Sequence, residues 1–184
     1  MSAAEVFARI DQHMIEGIMI HSDFVDYYTF LNLPGYAACH CWHSMCEAKS
    51  RQKVHDYYLT HHGRLIPYVN PQNRETIPAN WYGYTRADVD QGTLRNAVKS
   101  GLEAWVKWET DTKHLYETAY RDLLSMNEVA SAEFVRELIL DVSEELATAE
   151  RYHLNKKAVD YDIGAILADQ DKDTKLFKAR LAGI

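Results

Sequence analysis

From Val6 to Tyr28 the inward-type positions return every three or four residues. Val6, Phe7, Ile10, Met14, Gly17, His21, Phe24, Val25 and Tyr28 share one side of a helix, and Glu5, Arg9, Gln12, Glu16, Asp23 and Asp26 share the other. That spacing predicts a helix over residues 4–31 with Glu16 outward and His13 on or beside the buried stripe. Asn32-Leu33-Pro34-Gly35 breaks it. A second helix follows from Tyr36 to about His62, and Gly63 is placed to end it in the left-handed conformation. Its inner side reads Tyr36, Cys39, His40, His43, Cys46, Glu47, Ser50, Val54, Tyr57, Tyr58 and His61, while Ala48, Lys49, Gln52, His55 and Asp56 fall opposite. A plain bundle helix carries Leu, Ile and Val on that side. Here histidines, cysteines, tyrosines and a glutamate need something to satisfy them.

Residues 64–92 hold three of the four prolines and no long period. A connection of that length crosses a bundle or carries function, and Trp81, Tyr82 and Tyr84 would anchor it to a surface. Thr93 is a candidate N-cap for a third helix over about 94–126. Its inner side is Leu94, Val98, Gly101, Trp105, Trp108, Glu109, Thr112, Tyr116, Ala119 and Leu123. After a break at Asn127, a fourth helix over about 128–157 turns Ser131, Phe134, Leu138, Val142, Glu145, Ala149 and Tyr152 inward. The tail can form a shorter fifth helix through Ile163, Ile166, Leu167, Leu176, Phe177 and Leu181. Long helices joined by a short, a long and a short link describe an all-α four-helix bundle with one crossover. The bundle is expected over 1–157, with 158–184 a helical tail packed on the same domain.

Composition narrows the function classes. The 184 residues suffice for one domain with a full core. A net charge of −7 disfavours nucleic acid, whose phosphates need a basic patch. No apolar run approaches the roughly 20 residues of a membrane span, and MSAAEVFARIDQHM lacks the regions of a secretory signal. The three cysteines, Cys39, Cys41 and Cys46, sit on one helix at spacings that disfavour disulfides, which suggests a reducing cytoplasm. Cys39, His43 and Cys46 share a face, but a zinc site needs a fourth donor and usually a second element.

The inward acids are Glu47, Glu109 and Glu145, one from each of three helices, with His43 one turn before Glu47 and His13 or His21 available on the first helix. Buried carboxylates are costly to ionise unless they are paired or bind a cation. Oxygen donors suit hard divalent ions, and added imidazole shifts the preference toward iron, manganese or zinc. The candidate metal ligands are therefore Glu47, Glu109, Glu145, His43 and His21.

The run LNLPGYAACHCWHSMCEAKSRQKVHDYYLTHHGRL resembles the second helix of ferritins and its flanks. It shares the Gly-aromatic-Ala opening at Gly35-Tyr36-Ala37, a glutamate at Glu47 and a glycine before the crossover at Gly63. Glu109 then falls where ferritins carry the glutamate of their third helix, and the order of links is similar to the ferritin-like superfamily over roughly residues 5 to 155. The resemblance implies binding of iron or another divalent metal, oxidation of ferrous iron by dioxygen or its storage, and a homo-oligomer. Four positions depart from the family pattern. Glu47-Ala48-Lys49-Ser50 puts Ser50 where the Glu-x-x-His histidine belongs. Met14 stands near the first-helix glutamate. In Val142-Ser143-Glu144-Glu145 the glutamate is missing and Glu145 replaces the histidine. Two other readings share the fold: a non-catalytic oligomeric bundle acting in structure or interaction, and a DNA-protecting mini-ferritin whose helix histidine is His21 and whose metal site crosses a subunit interface.

Overall fold

The computed structural model describes residues 2–67 and 86–183. They form five α-helices, α1 (Ala3–Phe30), α2 (Pro34–His62), α3 (Gln91–Ser125), α4 (Val129–Lys157) and α5 (Ile163–Leu181), with a 3-10 turn at Arg86–Asp88. No strand occurs among the described residues. Trp81, Tyr82 and Tyr84, expected to anchor the crossover, lie outside them.

Each helix boundary has a local cause. Ser2 and Glu5 close a capping box at the start of α1. Asn32 and Asn127 take the left-handed conformation (φ 58° and 63°) in the two short links, so α1 folds back along α2 and α3 along α4. Gly63 ends α2 at φ 61°. The N-cap of α3 is Asp90, whose Oδ1 accepts from the Thr93 amide at 2.7 Å. Thr93 is therefore the donor in the first turn instead of the cap, because a carboxylate three residues earlier serves the exposed amides at least as well.

Helix α5 packs on α2 and supplies what the start of α2 lacks. Leu33 offers no side-chain cap there. Gln170 of α5, buried in the contact, accepts through Oε1 from the Gly35 amide at 2.9 Å and the Tyr36 amide at 3.4 Å. Gly35 admits the approach, since a Cβ would lie 2.8 Å from the Gln170 carbonyl oxygen. Lys156 at the end of α4 is also buried and donates to the Ala165 carbonyl at 2.8 Å and to Asp169. Gln170→Ala strips a cap from a buried helix end, and thermal melts should show a loss of about 1 kcal/mol. An unchanged melting temperature would deny α5 this role.

The α1 stripe is wider than the sequence suggests, because α1 packs against both α2 and α3. Glu16, expected outward, is 4% exposed and accepts from Gln12 Nε2 at 3.1 Å. Asp11 is equally buried and accepts from Arg51 Nε at 2.6 Å, with His55 Nε2 at 2.7 Å. His55 thus turns from the outer face of α2 toward α1.

Two apolar clusters fill the interior. One contains Phe24, Tyr28, Leu33, Tyr36, Trp105 and Phe177, the other Phe7, Ile10, Met14, Tyr58, Leu123 and Leu138. On every bundle helix they stop short of each other. His40, His43 and Glu47 fall in the gap on α2, Glu109 and Thr112 on α3, and Glu145 on α4. This polar layer across mid-bundle positions the site.

Candidate metal centre

Within that layer His21, His43 and Glu109 each bring one ligand atom to a common point, all within 4.8 Å of one another and all buried. Among the described residues this is the one such group of histidine, cysteine, aspartate and glutamate donors. His21 Nε2 lies 3.7 Å from Glu109 Oε1, and His43 Nδ1 lies 3.7 Å from Glu145 Oε1. Trp105, one turn before Glu109, donates its indole N–H to Glu109 Oε1 at 2.8 Å. Glu109 Oε2 and both ring nitrogens of His43 have no hydrogen-bond partner.

Glu47 and Glu145 flank this group. Glu47 is 7% exposed, whereas the Glu145 side chain is 25% exposed and stands at the rim. Together with Ser50, Tyr116 and Asp141 they line a cavity of about 20 Å³, enough for one water-sized occupant. Gly17 makes the room for Glu47, since a Cβ there would lie 3.1 Å from its carboxylate. His13, the other histidine considered on the first helix, is turned away. It stacks on Trp108 with ring centroids 4.3 Å apart, and its Nε2 lies 2.7 Å from the Thr112 hydroxyl.

Burial dominates the electrostatics. It pushes the Glu47 carboxyl up to about 8, with the Glu145 charge adding to the shift. It raises Glu109 well above the usual carboxylate range, reinforced by Glu145 and Glu47 and opposed by the Trp105 hydrogen bond. It holds His21 well below the usual imidazole range, with His43 adding to the shift. In the metal-free layer burial thus favours the uncharged forms of His21, Glu47 and Glu109, and binding a cation would release the carboxyl protons. Burial also raises the Cys39 thiol well above its ordinary value and Cys46 to about 11. Neither rests as a thiolate, and no cysteine joins a converging group of metal donors among the described residues.

The structure therefore brings together three of the five proposed ligands and sets the other two beside them. Ser50, which stands where the resemblance calls for a histidine, lines the cavity. The imidazoles come from one turn away, four residues after Gly17 on α1 and four residues before Glu47 on α2. Because these helices run antiparallel, the two offsets point the same way along the bundle. Sequence reading missed the Trp105–Glu109 bond, signalled only by the i, i+4 spacing, and the steric role of Gly17, signalled by a glycine inside a buried stripe. His21 is 1% exposed inside its own bundle, so it does not face outward toward a site shared between subunits.

Solved structures show the same architecture. An engineered closed form of the Archaeoglobus fulgidus ferritin superposes with a TM-score of 0.77 at 14% identity, covering 95% of this chain and 96% of that one. The open-pore ferritin of that hyperthermophilic archaeon gives 0.76 at 13% identity with 94% of each chain covered. A humanized archaeal ferritin gives 0.73 at 15% identity, covering 95% and 97%. No protein-family model and no curated protein matches the sequence. The chain has the ferritin-like fold, an all-helical four-helix bundle with a fifth helix.

Proposed function

We propose that this protein is a ferritin-like metal-binding protein that takes up a divalent ion, iron in the first place, at His21, His43 and Glu109, with Glu47 and Glu145 as flanking carboxylates. The carrying observation is the convergence of three buried donors, of which Glu109 Oε2 and both His43 nitrogens have no hydrogen-bond partner. Orphaned polar atoms in a closed core are expensive, and a dication would take up Glu109 Oε2 and one of the two His43 nitrogens together. Two imidazoles and one carboxylate suit ferrous iron, manganese or zinc. Bonds of about 2.0–2.2 Å would need only a small contraction of the group. Ferrous iron is read as the substrate, with dioxygen accepting the electron it loses. Glu47 and Glu145 would then supply negative charge as the ion's own charge rises.

The wider reading is a cytoplasmic homo-oligomer without membrane or nucleic-acid contact. It is supported by the ferritin-like fold, by three free cysteines, by the net charge of −7, and by the finding that no described helix is long and apolar enough to cross a membrane. The test is titration of chelator-stripped full-length protein with ferrous iron under argon and with Co(II), followed by native mass. Saturable uptake with imidazole-type Co(II) absorption is expected. Protein that takes up neither ion belongs to the non-catalytic bundle reading instead.

A further inference from the structure

One close contact in the polar layer is not accounted for by the metal reading. His21 Nδ1 and His40 Nδ1 lie 2.9 Å apart, and both residues are 1% exposed. Two imidazole nitrogens at that distance share one proton, so one ring donates and the other accepts. Burial lowers both imidazoles below their ordinary range. The opposite nitrogen of His21, Nε2, is the one that faces Glu109.

His40 is held against rotation. Its ring stacks on Phe24 with centroids 4.5 Å apart and planes at 20°, and on Tyr28 at 5.4 Å and 14°, while Trp105 closes the edge at 4.8 Å. Trp105 is also the donor to Glu109. The same aromatic cage therefore orients the accepting imidazole and the carboxylate.

We propose that His40 is a positioning residue for the metal centre: it accepts the Nδ1 proton of His21 and so fixes the tautomer whose Nε2 lone pair faces the ion. This rests on the proposed metal site. A histidine that ligates through one nitrogen must carry its proton on the other, and an acceptor held there orients the ring and strengthens the donor. His21 thus has a partner at hydrogen-bond distance in His40, whereas His43 Nδ1 only faces the Glu145 carboxylate at 3.7 Å, without a hydrogen bond.

The test compares Co(II) affinity of the full chain as wild type, His40→Leu and His40→Asn. An asparagine oxygen falls near the position of the histidine Nδ1 and can accept the same proton, whereas leucine fills the space without accepting. His40→Leu is expected to weaken Co(II) binding by about 10–100-fold, and His40→Asn to recover most of it. In zinc-loaded wild-type protein, long-range nitrogen–proton NMR should place the proton on Nδ1 of His21. Cobalt binding unchanged in His40→Leu, or equally weak in both variants, overturns the role of His40 and leaves the metal site standing. A proton on His21 Nε2 in the zinc-loaded protein overturns it however the variants fold. Wild-type protein that takes up no cobalt removes the metal reading and the role of His40 with it.

Discussion

Glu109→Gln is expected to abolish metal uptake and, in the same protein, to raise metal-free stability above about pH 6.5. Glu109 is fully buried and is the carboxylate of the converging group. Glutamine keeps an oxygen for the Trp105 indole N–H but brings no negative charge beside the imidazoles of His21 and His43. The loss of affinity should exceed the roughly 10–100-fold typical of residues that only support a ligand. The stability effect has the opposite sign. The carboxyls of Glu47 and Glu109 are raised in the fold, so their contribution is complete below the unfolded value near 4.5 and is lost as pH climbs toward the folded values, about 8 for Glu47. His21 and His40 are depressed from 6.5, so they cost stability only below that pH, where the unfolded chain takes up their protons. Between about pH 4.5 and 6.5 the two pairs oppose each other, and the metal-free protein should show a plateau. From about 6.5 to 8 only the carboxyls act, and stability should fall by up to about 1.4 kcal/mol per pH unit for each. Glu109→Gln removes one of them and should make that slope shallower in urea titrations. A variant that still binds Co(II) tightly would displace Glu109 from the centre. An unchanged slope would mean that Glu109 is ionised in the metal-free fold.

The inner side of α3 could be read from sequence almost residue for residue. Trp105, Trp108, Glu109, Thr112, Tyr116, Ala119 and Leu123 are all buried, because a helix 35 residues long with one polar face leaves little choice of rotation. On α1 the same procedure failed for Glu16, since periodicity assumes one buried arc and α1 is covered on two sides. The polar interruption of the core was legible, because inward glutamates and histidines recur at mid-helix on α2, α3 and α4. Which of them meet was not. That depends on the relative height of antiparallel helices, and a shift of one turn exchanges Glu47 for His43. The link lengths do not specify such a shift. The His21–His40 contact was hidden for the same reason, as it joins side chains on two helices with no shared sequence spacing.

Gly101→Ala should destabilise the fold by about 2 kcal/mol even though alanine is the better helix former. Propensity alone favours the change by about 1 kcal/mol. Against it, a Cβ at Gly101 would lie 2.4 Å from the Tyr28 hydroxyl oxygen and 3.1 Å from its Cζ, with a Tyr27 ring carbon at 3.3 Å. Tyr28 is 0% exposed and packed against Phe24, Tyr27, Tyr36 and His40, so neither ring nor helix can yield cheaply. Overpacking of this kind costs about 3 kcal/mol at the upper end of its usual range. The Tyr28 hydroxyl that causes the clash has no hydrogen-bond partner, and leaving it buried is itself unfavourable. Tyr28→Phe is therefore expected to be neutral or mildly stabilising. In the Tyr28→Phe background Gly101→Ala should lose most of its cost, because the oxygen is gone and only the ring carbons at 3.1 Å and 3.3 Å remain. A double-mutant cycle read by urea unfolding should give a coupling of about 2 kcal/mol. Additive effects would mean that α3 shifts to relieve the contact. Because Trp105 sits one turn along α3 from Gly101 and donates to Glu109, such a shift would also weaken Co(II) binding in Gly101→Ala.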